Sequence, residues 1–303
     1  MRIVVNGMQA FGKAVVDKLV ERGESVVGIY GSDEKPGGRK DPINEAAETH
    51  GIPLYQLPSF KTDEALEHIK GLDADLCVMA YVIKFVPSSF LNVPKYGSIQ
   101  YHPSLLPKHR GPSSINWPII QGSKRTGLSI FWPDDGLDTG PVLLQKEVEI
   151  GPDDTLGSIY FDKLFPMGVD AMMEAIDLVK KGTAPKVIQD ESQFSYESWC
   201  KKEDVEINWN DNVQAIYDLI RGSNPQPGAW STIGGEVIQI FDCSLSEEKV
   251  GPTGTITAID KDNFTVGAEG GAIIVKRVRS GKEKMSAAEY ATNSNLKVGL
   301  KFG

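Results

Sequence analysis

Four histidines and three cysteines are few for a chain of 303 residues, and their placement excludes several chemistries. Cys77, Cys200 and Cys243 are scattered, with no CxxC spacing and an odd total, which argues against a disulfide-stapled secreted fold and for a reducing compartment. The N-terminus, MRIVVNGMQAFGK, has one basic residue ahead of a short apolar run and no cleavage-like site after it, so it reads as a first strand rather than a leader. No run approaches the roughly 18 apolar residues that span a bilayer, so no membrane segment is expected. Basic residues are also short, 32 against 41 acidic ones, for a net charge of -9 and a pI near 5.1. That balance disfavours a general nucleic-acid binder, which normally carries a basic face. What remains is a chain 40% apolar and 24% charged, long enough for two domains, with a cytoplasmic location as the expectation.

Several known motifs are present only in part. The turn Gly7-Met8-Gln9-Ala10-Phe11-Gly12-Lys13-Ala14 lacks the middle glycine of GxGxxG. It matches GxxxxGK, but Ala14 replaces the hydroxyl that would hold magnesium, so it reads as an ordinary strand-to-helix turn. Asp138-Thr139-Gly140 occurs once, whereas an aspartic protease needs two such triplets facing each other. An EF-hand counted from Asp134 places Gln145, not Glu, at its twelfth position. Taken alone, the acidic loop Pro133 to Gly140 is equally readable as a solvated hairpin. His102 and His109 lie seven apart without HExxH, so no metal centre is expected from them and Asp138. Ser104 lies outside any GxSxG, Cys77 reads as a small buried hydrophobe, and Met167, Met172 and Met173 read as core packing. Asn224-Pro225-Gln226-Pro227-Gly228-Ala229-Trp230 reads as a rigid turn with an anchoring Trp.

The first hundred residues alternate strand and helix. Strands are expected at Ile3–Val5, Ser25–Tyr30, Pro53–Leu57 and Leu76–Tyr81, with helices at Phe11–Arg22, Ile43–His50 and after Thr62, whose hydroxyl caps a turn opening Asp63-Glu64. The loop Gly31 to Pro42 is rich in Gly, Lys and Asp. Strands Ser98–Tyr101, Leu128–Trp132 and Val142–Ile150 follow, with a short helix over Ser113–Gln121, then one long helix over Thr155–Lys181 kinked at Pro166. The tail holds one helix, Asn212–Arg221, among short strands separated by glycine-rich turns. The fold class is therefore α/β: a Rossmann-like, mostly parallel sheet flanked by helices over 1-203, followed by a small β-rich, OB-like barrel domain over 204-303.

The run Gln100-Tyr101-His102-Pro103-Ser104-Leu105-Leu106-Pro107-Lys108-His109-Arg110-Gly111, followed by Asp135-Gly136-Leu137-Asp138-Thr139-Gly140, resembles the paired signature of the folate-dependent formyltransferase family. That family includes methionyl-tRNA formyltransferase, glycinamide ribonucleotide formyltransferase and the N-terminal hydrolase domain of 10-formyltetrahydrofolate dehydrogenase. The resemblance is nearest to the last, through Ile130-Phe131-Trp132, Leu143-Leu144-Gln145, Leu164-Phe165-Pro166 and Ile220-Arg221-Gly222, and runs to about residue 240.

The resemblance implies that 10-formyltetrahydrofolate is the formyl donor, with no metal. It implies that His102 is the general acid/base and that Asp138 orients it and the attacking group. Lys84, Phe85 and Val86 match the loop that contacts the folate. Gln100 stands where the transferases carry Asn, a departure that bears on how the oxyanion is held. The chemistry needs a proton for the leaving nitrogen, a carboxylate and an oxyanion donor, and these three side chains supply one group of each kind.

The leading expectation is hydrolysis of 10-formyltetrahydrofolate to tetrahydrofolate and formate. The alternative is formyl transfer to an amine, on an aminoacyl-tRNA, an amino sugar or a small metabolite. From Ile207 to Gly303 there are 10 Lys and Arg against 11 Asp and Glu, a poor phosphate-binding surface that makes nucleic acid an unlikely partner. A folate-binding module without turnover would need His102 or Asp138 turned away from the ligand. The carrier and aldehyde dehydrogenase domains that accompany the hydrolase domain in the dehydrogenase have no counterpart in these residues.

Overall fold

A computed structural model of the chain describes residues 1–34 and 37–303. Of the loop from Gly31 to Pro42, Lys35 and Pro36 lie outside the described residues. In chain order the first elements are β1 (Arg2–Gly7), α1 (Gln9–Glu21), β2 (Ser25–Tyr30), α2 (Pro42–His50), β3 (Leu54–Tyr55), α3 (Asp63–Gly71), β4 (Leu76–Ala80), α4 (Ser88–Leu91) and β5 (Ser98–His102). Next come α5 (Asn116–Ile120), β6 (Arg125–Phe131), β7 (Val142–Glu149), α6 (Leu156–Ser158), a π-helical stretch Ile159–Leu164, α7 (Phe165–Lys180) and α8 (Val213–Gly222). Strands β8 (Trp230–Ile233), β9 (Glu236–Ser246), β10 (Ile256–Ile259), β11 (Phe264–Ala268), β12 (Gly271–Ser280) and β13 (Glu283–Ser286) lead to α9 (Ala287–Asn293).

Two compact units are present: 1–111 with 127–148 and 163–196, and 112–126 with 149–162 and 197–303. The first is built on a seven-stranded sheet in the order β3-β2-β1-β4-β5-β6-β7. β1 through β5 run parallel, and β6 turns antiparallel beside β5, pairing His102 with Ser129 and Gln100 with Phe131. The parallel part follows from buried, β-branched strands linked by helices, of which α2 and α3 have clear start signals. Asp41 caps α2 by accepting the Ile43 N–H at 3.0 Å, with Pro42 just inside, and Thr62 caps α3 by accepting the Ala65 N–H at 3.2 Å. α1 buries Phe11, Val15, Val16 and Leu19, the one-sided spacing of an amphipathic helix.

The glycines of the first turn serve packing. A Cβ on Gly7 would meet the Ala80 carbonyl oxygen at 2.5 Å, and one on Gly12 would meet Ile43 Cδ1 at 2.9 Å. The expected single helix over Thr155–Lys181 is divided instead. Thr155 and Ser158 form a reciprocal capping box, the backbone then takes one wide π-helical turn, and α7 starts at Phe165. Pro166 has no N–H to give to the preceding turn, so the regular i→i−4 ladder cannot run through it.

The second unit curls an all-antiparallel sheet, β10-β11-β12-β9-β8 with β13 beside β12, into a half-barrel. Register shifts around Arg277 bend β12 against β9. Its core gathers Ile216 and Ile220 of α8 with Ile240, Phe264, Ile273 and Val275 from the strands. Helix α9, capped by Ser286, was not apparent in the sequence; it supplies Ala287, Tyr290 and Ala291 to that core. The Asn224–Trp230 motif is a turn leading into β8, with Trp230 Nε1 donating to the Lys202 carbonyl at 2.8 Å.

Candidate active site

His102 is the last residue of β5, a strand interior to its sheet, and its side chain is 7% exposed. The chain beyond it folds back through a loop braced from below. Ser104 Oγ donates to the Lys108 carbonyl, Ser129 Oγ donates to the Ser104 carbonyl, and Gln145 Nε2 donates to the Leu106 carbonyl. Ser104 is therefore a buried brace, not a nucleophile. The loop returns His109 to His102, whose Nε2 lies 2.9 Å from the His109 carbonyl oxygen. A carbonyl only accepts, so in this contact Nε2 is the nitrogen that carries a hydrogen.

Nδ1 faces Asp138 Oδ2 at 3.7 Å. That same oxygen accepts the Gly111 N–H at 2.9 Å, and the residue is 7% exposed. Asp138 adopts φ +56°, a left-handed conformation uncommon for a residue with a side chain. Its loop is shaped locally by Asp134, which accepts the Gly136 N–H at 3.0 Å and the Thr139 hydroxyl at 2.6 Å. Asp135 accepts the Ser88 N–H at 2.8 Å, and that bond holds its carboxyl below the usual carboxylate range.

Gln100 stands two residues before His102 on β5, so strand alternation puts both side chains on one face, roughly 7 Å apart along the strand. Tyr101 points the other way and stacks on Phe11 with ring centroids 4.2 Å apart. The loop after β4 is mixed. Lys84 Nζ donates to Asp33 and to the Leu57 carbonyl, both at 2.7 Å, and Val86 is buried in the core. Phe85 remains half exposed, with Lys61 Nζ 4.6 Å from its ring centre. Tyr81, Ile83 and Leu137 are also exposed, so the loops after β4 and ahead of Asp138 open large hydrophobic side chains to solvent. A separate hollow of about 580 Å³ is lined by Gly97, Ser98, Trp132 and Lys186, at the end of β5 away from His102.

The structure thus brings His102 and Asp138 together, sets Gln100 on the same strand face, and divides the roles of Lys84, Phe85 and Val86. Among the described residues no group of three His, Cys, Asp or Glu side chains is placed to hold a metal ion, and no helix is long and apolar enough to cross a membrane. Sequence reading missed Gln189, buried in what looked like a connecting stretch. Its amide reaches the Asp138 and Gly140 carbonyls at 2.9 and 2.7 Å, and no spacing or neighbouring motif announces it.

Comparison with known proteins places this geometry in context. Residues 1–176 match the formyl transferase family model, and residues 200–295 match that of the formyl transferase C-terminal domain. The chain is 42% identical to cytosolic 10-formyltetrahydrofolate dehydrogenase of Xenopus tropicalis over 84% of its own length, and it spans 29% of that relative. It is 33% identical to methionyl-tRNA formyltransferase of Geobacter metallireducens, over 100% of this chain and 99% of that one. HypX from Aquifex aeolicus, solved with tetrahydrofolic acid, shares the fold at a TM-score of 0.69 and 19% identity, covering 99% of this chain and 50% of that one. With both parts matched by family models and one relative aligned end to end, the chain belongs to the formyl transferase family.

Proposed function

We propose that this protein binds 10-formyltetrahydrofolate at the carboxyl end of β5 and hydrolyses it to tetrahydrofolate and formate. The observation that carries this reading is the pairing of His102 Nδ1 with Asp138, while Nε2 is committed to the His109 carbonyl. Water adds to the formyl carbon and loses a proton to the carboxylate side of the pair. The carbonyl oxygen becomes an oxyanion within reach of a side-chain amide, the role assigned to Gln100. The C–N10 bond then breaks as N10 takes a proton delivered by way of His102, and formate leaves. Asp138 keeps the imidazole turned and holds the water. Phe85, with Lys84 and Val86 framing its loop, is proposed to contact the folate.

Residues 1-203 are proposed as the catalytic, folate-binding part and 204-303 as an accessory domain. A reducing, cytoplasmic setting accords with the three unpaired cysteines. The end-to-end match to a methionyl-tRNA formyltransferase favours a second reading, in which an amine replaces water as the attacking group. Incubation with 10-formyltetrahydrofolate, with and without candidate amines, separates the two. Formate released without any amine supports hydrolysis. Consumption only with an amine present, and the formyl group found on that amine, makes the protein a transferase.

A further inference from the structure

Gln189 lies 51 residues beyond Asp138 in the chain, yet it closes a ring of hydrogen bonds around the reacting pair. Its Nε2 donates to the main-chain carbonyls of Asp138 (2.9 Å) and Gly140 (2.7 Å), the two ends of the turn that holds Asp138 at positive φ. Its Oε1 accepts from Arg110 Nε at 3.2 Å and Nη2 at 2.7 Å. Arg110 is buried, and Glu191 grips its other edge at 2.6 and 3.0 Å. The residues on either side of Arg110 are those that hold the pair: the His109 carbonyl takes His102 Nε2, and the Gly111 N–H binds the Asp138 carboxylate. Ser195 supports the same tripeptide, its hydroxyl accepting the His109 N–H at 2.8 Å and its carbonyl the Arg110 N–H at 3.0 Å.

We propose that Gln189 is a positioning residue: one buried amide that registers the Asp138 turn against the His109-Arg110-Gly111 segment and thereby sets the distance from carboxylate to imidazole. An amide suits this task because it presents two donors and an acceptor from one rigid plane. All three protein groups it meets are of the matching kind. Without it, the Asp138 and Gly140 carbonyls would lack their buried donor and the strained turn would relax away from His102. A displacement of about 1 Å at a reacting group costs roughly 100-fold in rate. The inference rests on His102 and Asp138 being the reacting pair.

The test is steady-state kinetics with 10-formyltetrahydrofolate on Gln189→Met, Asp138→Asn and the double variant. Gln189→Met keeps the length of the side chain and removes its hydrogen bonds. A kcat loss of roughly 10- to 100-fold with KM little changed is expected, together with a double variant no slower than Asp138→Asn alone. A general loss of folded protein would instead multiply through the double variant. Should the Met variant not accumulate as folded protein, Arg110→Lys gives the same readout, since it retains the charge beside Glu191 and loses the fork to Gln189. A kcat within twofold of the parent in folded Gln189→Met, with Asp138→Asn inactive, overturns this inference alone. An active Asp138→Asn overturns the proposed function and this inference with it.

Discussion

Nε2 of His102 donates to the His109 carbonyl at 2.9 Å, and this bond leaves Nδ1 turned toward Asp138 Oδ2, 3.7 Å away. The residue seven positions along the chain therefore meets His102 through its backbone rather than its own ring.

His102→Ala removes the proposed proton carrier and Asp138→Asn the proposed carboxylate partner. Each is expected to lower kcat by roughly 10²–10⁴-fold while tetrahydrofolate binding, followed by calorimetry, stays within a few-fold of the parent. Gln100→Ala is expected to cost roughly 10²–10³ in kcat if its amide holds the oxyanion. An unchanged rate in Gln100→Ala would leave that side chain as pocket lining, and near-normal rates in the other two would remove the proposed mechanism.

Gly168 lies on the buried face of α7, where a Cβ would meet Tyr101 Cε2 at 2.7 Å and Phe11 Cε2 at 3.0 Å. In an exposed helix interior Gly→Ala gains about 1 kcal/mol. Here those rings are stacked on each other and buried, so overpacking by about 1–3 kcal/mol opposes the gain. Gly168→Ala is expected to melt at a lower temperature than the parent by calorimetry. Because Tyr101 sits directly before His102, it is also expected to lose activity. A higher melting temperature would show that the ring pair gives way easily.

Burial pushes the Cys77 thiol up to about 12, from an ordinary value of 9.0. The folded-state value lies above the unfolded one, so this contribution to stability is complete below about pH 9 and is lost as pH rises toward about 12. Burial also raises Tyr30, which acts in the same direction at still higher pH. Urea midpoints recorded from pH 7 to 11 are expected to fall more gently for Cys77→Val than for the parent. Parallel curves would show that the alkaline loss comes from other groups.

Much of this molecule was legible before folding was considered. Periodicity located α1 to within a few residues although it has no side-chain cap, and the Thr62 cap located the start of α3, because a cap acts inside one turn of helix. The strand expected over Ser98–Tyr101 extends one residue further, to His102, and only that extension puts Gln100 and His102 on one strand face. The division of the expected long helix was harder to read, since Pro166 announces a break but not the π-helical turn before it. Helix α9 escaped notice because seven residues are too short for periodicity to separate from a strand end.

The sequence by itself determined the chemical groups and their order: a histidine directly after a strand, and an aspartate in an acidic loop one strand later. It could not determine the distance between them, because that distance is set across a gap of 36 residues by groups that carry no motif. Only the tertiary structure decided that the His109 carbonyl would take Nε2, that the Gly111 N–H would hold Asp138, and that Gln189 would reach back to tie both loops together. Main-chain donors and acceptors are the same for every residue type but proline, which lacks the N–H, so their use in a site is invisible until the chain is folded.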